Sequence, residues 1–448
     1  MNKLCEFEKK YEHIVKNIEE WNFIRNKIRE VFIDNSLNDN GKKIKRNIKK
    51  ILRVLRNVFF GFFNWFGKYD YLFFSYSSER KIINNEYVDK LSDPIVELVG
   101  KSLVIELPNP IHFNNNKSKY IVSESLIYFI SAIIKLFIFV KSTDDLYRLE
   151  AVLKKENIIF STRNLIKRFK SLYIVYYILL KIYKPKAVFV VCYYCRQPLI
   201  KAAKDLNIKV IELQHGIIGK SHCAYNSLIE LNDKYIPDYL FSYGKTETTI
   251  PTFLIKNVVP IGSFYLEYVK TSFKEDRELK NIISNYDTIV GVTLQDVKWI
   301  KKRLLNFLSK VSLWEKNILY ILIPRYEDVK INFEKNVIVW KKTDCYNTIM
   351  HCDIHMTVYS TCALEVPTLG IPNILLNIND FSSSISKMLN NYHTKIISED
   401  ISKNDFLATI RNLKRLSNEI IIEKNSNIFV PNYHKNLIKA LKVVNILS

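Results

Sequence analysis

The feature that most constrains the fold of this chain is its repeated alternation of short apolar runs with segments of helical length. Residues 187–192 form an apolar run with strand character, residues 197–205 have helical periodicity, and residues 208–213 form a second apolar run. Parallel strands need such a helical connection, and strands that are buried on both faces are almost continuously apolar. The same order recurs at residues 288–293, 299–313 and 318–323, and a charged helix is predicted before it, at residues 264–284. The sequence therefore predicts parallel sheets covered by helices.

Length and periodicity together predict four parts along the chain. With 448 residues the chain exceeds a single hydrophobic core and suits two domains of ordinary size. We predict a helical, basic and aromatic N-terminal segment at 1–66, a Rossmann-like domain at 67–275, a second one at 276–430 and a C-terminal helix at 431–448. The predicted fold class is α/β, with two Rossmann-like domains that face a cleft.

A further strand–helix–strand pattern, at residues 353–377, ends its first strand at two hydroxyl residues. Ser360 and Thr361 lie where the helix would begin, and a helix start presents free N–H groups and a positive dipole end that favour phosphate. Glu365 follows on the same helical face, one turn further in. A phosphate at the hydroxyls and a sugar hydroxyl at the carboxylate would together hold a nucleotide. The spacing alone leaves open the alternative that Ser360 is an N-cap and Glu365 a surface residue.

A second polar cluster follows directly after the apolar run that ends at residue 213. Gln214, His215 and Gly216 therefore stand at the carboxyl end of a strand, where open α/β sheets bind ligands. Gly216 and Gly219 permit close backbone approach, and Lys220 adds a positive charge. A histidine that titrates near neutrality suits a general base, a proton donor or a hydrogen-bond donor to phosphate. The alternative is a structural histidine in a loop.

The charge balance predicts an anionic partner. Lys and Arg number 67 against 45 for Asp and Glu, a formal net charge of +22, which suits nucleic acid, an acidic membrane or a phosphorylated substrate. The sequence has no zinc-finger spacing, RNP-like strand or helix-turn-helix pattern, so we do not expect nucleic acid as the partner. Residues 42–66 mix basic and aromatic residues, which predicts contact with an anionic membrane surface; a helix with a solvated basic face is the alternative. Without a secretory signal or an apolar stretch of bilayer length, we expect a cytoplasmic protein, peripheral at the inner face of the plasma membrane.

The cysteine and histidine patterns do not predict a metal site. Cys192 and Cys195 form a C-x-x-C motif, but no second pair completes a zinc site, and we interpret them as structural thiols. His351, Asp353 and His355 alternate along one apparent strand without a further ligand spaced to complete a site. We therefore predict that no metal is bound.

Four separated motifs resemble bacterial glycosyltransferases of the GT-B fold. They are E-L-Q-H-G-x-x-G after a strand, D-Y-x-x-x-x-G, a P-x-G turn and S-T-x-x-x-E-x-x-x-x-G-x-P, which begin at Glu212, Asp238, Pro260 and Ser360. The likeness is closest to enzymes of capsule and O-antigen (lipopolysaccharide) assembly. More distantly, the motifs are similar to those of sialyltransferases, Kdo-transferases and polyol-phosphate polymerases. The resemblance covers about residues 185–377, and the first 180 residues only in general shape.

The resemblance implies inverting transfer of a sugar from a nucleotide-activated donor to a growing bacterial surface glycan, without a metal or other cofactor. The first domain would bind a glycan or lipid-linked acceptor, and the second a CMP- or UDP-linked sugar. Ser360 and Thr361 would hold the donor phosphate, Glu365 the ribose, and Gly262 would border the cleft. This chain departs from the family pattern at Pro367, where small helix formers are usual and a proline kinks the axis. The alternatives are a polyol-phosphate transferase of the CDP-glycerol type and a non-catalytic basic scaffold on a membrane or nucleic acid.

The catalytic base and further donor contacts are expected among polar residues at other strand ends. Inverting transfer needs a carboxylate or histidine to deprotonate an acceptor hydroxyl while positive groups stabilise the leaving phosphate. We predict His215 first, followed by acidic residues of a polar loop at 76–93. Arg325 and Gln295 follow strands of the second domain and are predicted donor contacts. The acidic candidates of the loop are Glu79, Glu86, Asp89 and Asp93, and Asp296 is a further candidate beside Gln295.

Overall fold

The chain forms two compact units, each built on its own parallel sheet. The computed structural model describes residues 3–36, 52, 55–76, 80–107, 114–216, 218–220, 222–295, 297–324, 334–380, 382, 385 and 387–447. The first unit comprises Met1–Ser242, Glu247–Ile261 and His434–Ser448, and the second comprises Tyr243–Thr246 and Gly262–Tyr433. The predicted α/β class with two Rossmann-like domains is confirmed.

Among the described residues, seven parallel strands form the sheet of the first unit. Their order is β5-β4-β1-β6-β7-β8-β9, and β2 and β3 form a separate antiparallel hairpin. Every residue of β1, β4 and β6 is buried, because helices cover a sheet of this kind on both faces. The strands are β1 (Tyr71–Ser75), β2 (Arg80–Ile83), β3 (Glu86–Asp89), β4 (Ser102–Glu106), β5 (Ile121–Ser123), β6 (Ala187–Val191), β7 (Lys209–Leu213), β8 (Tyr239–Ser242) and β9 (Asn257–Pro260).

The helices of the first unit include three from the N-terminal segment. These are α1 (Lys3–Lys10), α2 (Glu12–Val15) and α3 (Trp21–Ser36), and they share a hydrophobic core with the sheet. Inside this core the carboxylate of Glu8 pairs with Arg25, whose Nε lies 2.6 Å from Oε1. The N-terminal helices are therefore part of the first unit. The further helices are α4 (Asp93–Val99), α5 (Ser125–Phe137), α6 (Asp144–Lys155), α7 (Thr162–Tyr183) and α8 (Gln197–Asp205).

Residues 42–51, 53 and 54, which carry most of the predicted basic segment, lie outside the described residues. Its aromatic end is described and forms a 3₁₀ helix, Phe62–Phe66. Within the described part of the chain, no helix is long and apolar enough to cross a membrane.

The stretch at 76–93, expected to be a polar loop, contains the β2–β3 hairpin and the start of α4. Asn84 and Asn85 connect the two strands with φ angles of 50° and 65°. Two consecutive positive φ angles are what a two-residue type I′ hairpin turn requires, and asparagine tolerates them better than most residues. The sequence signal for this hairpin was therefore the Asn84-Asn85 pair between two short β-prone runs.

The sheet of the second unit has, in the described part of the chain, six parallel strands in the order β12-β11-β10-β13-β14-β15. Both β10 and β11 match the predicted bounds residue for residue, and both are buried over their whole length. The strands are β10 (Thr288–Thr293), β11 (Ile318–Ile323), β12 (Val337–Val339), β13 (Ile354–Thr357), β14 (Asn373–Asn377) and β15 (Thr394–Ser398). The helices are α9 (Phe264–Thr271), α10 (Arg277–Ile283), α11 (Lys298–Val311), α12 (Cys345–Ile349), α13 (Cys362–Glu365), α14 (Lys403–Lys414) and α15 (Asn418–Asn425), and α16 (Tyr433–Val443) follows them.

The single helix predicted over residues 264–284 is two helices, and both belong to the second unit. Asp276 lies between them, and its Oδ1 accepts hydrogen bonds from the amides of Glu278 at 3.0 Å and Leu279 at 3.1 Å. An N-cap of this kind starts a new helix. The second unit accordingly begins at Gly262, whereas we expected a domain boundary after residue 275.

Candidate functional site

The carboxyl edge of the first sheet brings together Cys192, after β6, and His215, after β7. The Sγ of Cys192 lies 3.3 Å from Nε2 of His215. The backbone of Cys192 is left-handed, with φ of 63°, which turns the chain sharply as it leaves the strand. Nδ1 of His215 is buried and has no hydrogen-bond partner among the described residues. One nitrogen of His215 is therefore engaged and the other is unpaired.

The electrostatic state of His215 differs from the expectation that it titrates near neutrality. Burial, together with the charge of Lys90, lowers the pKa of His215 to about 4. The imidazole is therefore neutral at pH 7, and a neutral imidazole offers one N–H donor and one acceptor nitrogen. A ligand anion placed beside the ring would raise this pKa, because an opposite charge favours the protonated form.

Some residues around His215 are held by hydrogen bonds, and others lie beside open space or solvent. Gln214 is buried, and its Nε2 donates to the carbonyl of Gly216 and to Oε1 of Glu247, each at 3.0 Å. A Cβ atom added to Gly216 would meet no atom of the described residues within 4 Å, so open space lies beside its backbone in this part of the structure. The carbonyl of Gly219 accepts a hydrogen bond from Nδ2 of Asn226 at 3.0 Å. The exposed residue at the end of this loop is Lys220.

The acidic candidates for the catalytic base are mostly buried in contacts of their own. Asp89 is fully buried, and its carboxylate accepts hydrogen bonds from the hydroxyl of Ser75 and the amide of Leu91. Asp93 accepts from the amide of Asp89 at 2.7 Å and from the hydroxyl of Ser118. Burial and the neighbouring charge of Asp89 raise the pKa of Asp93 to about 6. In this arrangement both carboxylates hold the hairpin to the sheet edge and neither faces solvent.

Of the remaining acidic candidates only Glu86 is among the described residues, and its carboxylate is not enclosed. Glu86 is half-exposed, and its Oε2 lies 3.6 Å from Nζ of Lys117. Glu79 and Asp296 lie outside the described residues, as does the predicted donor contact Arg325. Among the described candidates, His215 is thus the one that combines a strand-end position with an unpaired buried polar atom.

Two buried arginine–carboxylate pairs brace the same sheet edge, and sequence reasoning missed both. Nε of Arg80 donates to Oε1 of Glu106 at 2.7 Å, and Nη1 of Arg196 donates to Oε1 of Glu124 at 2.7 Å. Nη2 of Arg196 also donates to the carbonyl of Ser75 at 3.2 Å. A buried charge needs such a partner, since an isolated one is costly. These pairs connect the ends of several strands, and no local sequence motif predicts them.

In the second unit, Ser360 and Thr361 lie at the carboxyl end of β13, as predicted. The hydroxyl of Ser360 accepts a hydrogen bond from the amide of Cys362 at 3.3 Å. Thr361 is exposed. The helix they precede is shorter than expected: α13 ends at Glu365, and Val366–Leu369 continues as a 3₁₀ helix with Pro367 in its first turn. A single α-helical turn carries little macrodipole, so an anion here would depend on direct contacts with hydroxyl and amide groups.

Glu365 is half-buried and already has a protein partner. The hydroxyl of Tyr346 donates a hydrogen bond to its Oε2. Cys345 and Cys362 lie beside this pair, although they are far apart in sequence, and a hydrogen bond from Cys345 lowers the pKa of Cys362. Tyr346 and the two thiols were not predicted, because only the packing of α12 against α13 brings them to Glu365.

A buried polar ladder connects the strand ends of the second sheet. Nε2 of Gln295 donates to Oγ1 of Thr357 at 3.0 Å, and Thr357 donates to the carbonyl of Thr293 at 3.2 Å. His355 contacts Oγ1 of Thr293 at 2.9 Å through Nε2 and Oδ1 of Asn373 at 2.7 Å through Nδ1. Burial lowers the pKa of His355 to about 4, so the ring is neutral. Gln295, predicted as a donor contact, is in this structure a buried member of the ladder.

Gly262, the last predicted donor-side residue, and the residues considered and rejected as metal ligands have structural roles. Gly262 has φ of 87°, and a Cβ atom there would lie 2.4 Å from the carbonyl oxygen of Val430, so both backbone shape and close approach require glycine. Nε2 of His351 accepts a hydrogen bond from the amide of Asp276 at 3.0 Å, and Asp353 accepts one from the amide of Ile289 at 2.8 Å. Within the described residues, no three His, Cys, Asp or Glu side chains are grouped to hold a metal ion.

Comparison with known proteins gives structural likeness without sequence likeness. No protein-family model matches the sequence, and no curated protein matches it. One similar solved structure is CalG4, the calicheamicin glycosyltransferase, with 11% identity, a TM-score of 0.50, and coverage of 84% of this chain and 98% of that one. Another is the glycotransferase of kitacinnamycin, with 11% identity, a TM-score of 0.50, and coverage of 85% and 100%. These likenesses show the fold: the chain has the GT-B fold, with two Rossmann-like domains.

Proposed function

We propose that this protein is a glycosyltransferase that moves a sugar from a nucleotide-activated donor to a growing bacterial surface glycan of the capsule or O-antigen type. The observation that carries the proposal is that Ser360 and Thr361 follow β13 at the carboxyl edge of the second sheet, with Glu365 one helical turn further along the chain, in a fold shared with two glycosyltransferases. Ligands of open α/β sheets bind at this edge. The motif resemblance adds the surface-glycan class of acceptor.

In this proposal the second unit binds the nucleotide. Thr361 and the amides at the start of α13 contact the donor phosphates, and Glu365 contacts the ribose. The hydroxyl of Tyr346 already orients the Glu365 carboxylate, which lowers the entropy lost when a ribose hydroxyl binds. Cys362 is held by the same group of side chains, which keeps the turn in place.

The first unit binds the acceptor, with His215 next to the reacting hydroxyl. Because its pKa is lowered to about 4, the ring is neutral at pH 7 and can accept the hydroxyl proton. The contact between Nε2 and Cys192 orients the ring, and the open space beside Gly216 admits the acceptor. Transfer is inverting and uses no metal in this proposal.

The first unit also carries a surface suited to an anionic membrane. Leu136, Phe137 and Phe139, at the end of α5, are 79%, 83% and 83% exposed. Lys135 and Lys141 flank them. Exposed apolar groups beside cations match the interface of a bilayer with anionic headgroups. Peripheral attachment to the cytoplasmic face would bring a lipid-linked acceptor to the enzyme.

Donor binding is tested by a thermal-shift panel with CMP, UDP, GDP and CDP, because a ligand that binds only the folded state raises the apparent melting temperature. We expect one base to stabilise the protein, with CMP and UDP the first candidates. If none of the four does, the donor-site proposal fails.

Product analysis separates sugar transfer from the polyol-phosphate alternative, which uses the same fold. A glycosidic product supports the proposal, whereas a new phosphodiester in the glycan contradicts it. The scaffold alternative predicts that Glu365→Ala and His215→Ala proteins keep full biological activity, whereas sugar transfer predicts that both lose it while remaining folded.

Membrane binding is tested by sedimentation with vesicles that contain phosphatidylglycerol. We expect Leu136→Gln/Phe137→Gln to reduce bound protein severalfold at low salt, and Leu313→Gln, an exposed apolar residue of the second unit, to leave it unchanged. Equal binding by both variants would remove the α5 surface from the proposal.

A further inference from the structure

A cavity of about 300 Å³ lies in the first unit, beside the turn that follows β6. Its walls come from α3, the end of α5, the start of α7 and the turn residues Tyr194 and Cys195. Asn26, on α3, donates through Nδ2 to the carbonyl of Tyr194 at 3.0 Å and to Oε1 of Gln197 at 2.8 Å. These hydrogen bonds fix α3 against the turn, so the cavity is a defined feature of the fold.

The side chains that line this cavity carry an excess of positive charge. Lys27 and Glu30 neutralise each other, with Nζ and Oε2 2.7 Å apart. Arg29, Lys135 and Arg168 remain, and within the described part of the chain none of them has a carboxylate partner. Three cations around one small cavity repel each other unless an anion is bound.

Two further observations concern Arg29 and Lys135. The guanidinium carbon of Arg29 lies 4.3 Å from the centroid of the Tyr194 ring, which holds the group in place, yet its Nε is buried and has no hydrogen-bond partner among the described residues. A buried unsatisfied donor of this kind costs about 1–3 kcal/mol. Burial, followed by the charge of Arg168, lowers the pKa of Lys135. A bound anion would satisfy the donor and offset the repulsion.

We infer that this cavity binds a diphosphate ester group of the acceptor substrate. Arginine recognises phosphate oxygens through paired N–H donors, and three cations match the charge of a diphosphate better than that of a single carboxylate. Phe23 and Leu165 supply apolar wall for the group that the diphosphate carries. The inference rests on the proposed function and adds the chemical class of the acceptor.

The position of the cavity fits the binding of an acceptor diphosphate, because one of its walls is formed by the turn that leads to His215 at the carboxyl edge of the first sheet. Cys195 lines the cavity, and Cys192, at the start of the same turn, contacts His215. A substrate anchored by its diphosphate would therefore extend along the turn toward His215.

The exposed thiol of Cys195 provides a local probe of occupancy. Its pKa is lowered to about 7, chiefly by a hydrogen bond from Cys192 and also by the charges of Arg196 and Arg29, so we expect it to react with iodoacetamide. We expect saturating inorganic pyrophosphate to slow alkylation of Cys195 at least tenfold, measured by peptide mass spectrometry at constant ionic strength. The Arg29→Gln/Arg168→Gln protein should lose this protection, whereas Arg148→Gln, an exposed arginine on α6, should retain it.

The same assay distinguishes the source of the diphosphate. Geranyl diphosphate should protect at a lower concentration than pyrophosphate if the acceptor is lipid-linked, and at the same concentration if only the diphosphate is recognised. Absence of protection, or equal protection in the double variant with an unchanged melting temperature, would overturn the inference. Because Glu365→Gln affects the nucleotide site alone, unaltered protection in that variant separates this cavity from the donor proposal.

Discussion

The buried pair of Glu8 and Arg25 gives the most direct test that the N-terminal helices belong to the first unit. Nε and Nη2 of Arg25 lie 2.6 and 2.9 Å from the two carboxylate oxygens of Glu8, and both side chains are almost completely buried. Nη2 of Arg25 also donates to the carbonyl of Asn226 at 3.0 Å, and Trp21 donates to Glu8 at 3.0 Å. The pair therefore connects α1, α3 and a loop of the first unit.

The change Glu8→Gln leaves the Arg25 charge buried without its counterion. Removing one partner of a buried ion pair costs about 3–5 kcal/mol, which corresponds to a roughly 10²–10⁴-fold larger opening equilibrium. The matched control is Glu12→Gln, because Glu12 pairs with Lys16 on the surface at 2.6 Å and such exposed pairs contribute about 0.5 kcal/mol or less. The double change Glu8→Leu/Arg25→Met should recover most of the loss, since an apolar pair of similar volume is often neutral.

The assay is hydrogen exchange measured by mass spectrometry, read on peptides from α3 and from strands β6 and β7. We expect Glu8→Gln to speed exchange in all three, because they share one hydrophobic core. The reasoning is refuted if Glu8→Gln behaves like Glu12→Gln. It is also refuted if exchange rises in α3 alone, since the helices would then be a separable attachment.

Three further predictions concern the second unit. Glu365→Gln should weaken binding of the nucleotide that stabilises the protein about 10–100-fold, because this factor corresponds to the free energy of one hydrogen bond to a charged group. The control Glu419→Gln, at an exposed glutamate, should leave nucleotide binding unchanged. The pKa of His355 is about 4 in the folded protein and about 6.5 in the unfolded chain, so the unfolded state binds the proton first as the pH falls. The contribution of His355 to the free energy of unfolding is therefore complete above pH 6.5 and about 2 kcal/mol smaller at pH 5. His355→Gln should reduce this loss of stability between pH 6.5 and pH 5, measured by urea titrations. Gly262→Ala should lower the free energy of unfolding, measured by urea titration, by about 1 kcal/mol or more, because Gly262 has a positive φ and an added Cβ would clash with Val430.

Each of these predictions has a clear contrary result. Equal nucleotide affinity in the two glutamate variants would remove Glu365 from the donor site. If His355→Gln leaves the pH dependence of stability unchanged, protonation of this histidine is not the cause of the stability loss at low pH. Wild-type stability of the Gly262 variant would show that the backbone there relaxes easily.

The strands and helices that depend on local pattern were largely predictable. Helix α8 and strands β10 and β11 have the expected bounds. Burial on both faces makes a strand continuously apolar, and the ends of two such strands restrict where the helix between them can begin and end. The kink expected at Pro367 occurs as a change from α to 3₁₀ helix, which follows from the missing N–H of proline. The hairpin at β2–β3 was missed although its turn signal, two adjacent asparagines, is local.

The candidate site was less predictable, because a side chain's partners come from distant parts of the chain. Asp89 and Asp93 have the residue type of a catalytic base, yet folding surrounds them with the hydroxyls of Ser75 and Ser118. Tyr346 reaches Glu365 only because α12 lies against α13. The cavity beside Arg29 likewise needs α3, α5 and α7 to meet.

The sequence by itself determined the α/β class, the alternation of strands and helices in two units, the positions of His215 and Ser360 after strands, and that of Glu365 on the helix that follows Ser360, since periodicity and turn chemistry act over a few residues. Only the tertiary structure decided which charges are buried in pairs, which histidines are neutral, and where three cations lie around a cavity with no carboxylate partner among the described residues. The physical reason is that the free energy of a charge depends on burial and on neighbours that packing brings from far along the chain.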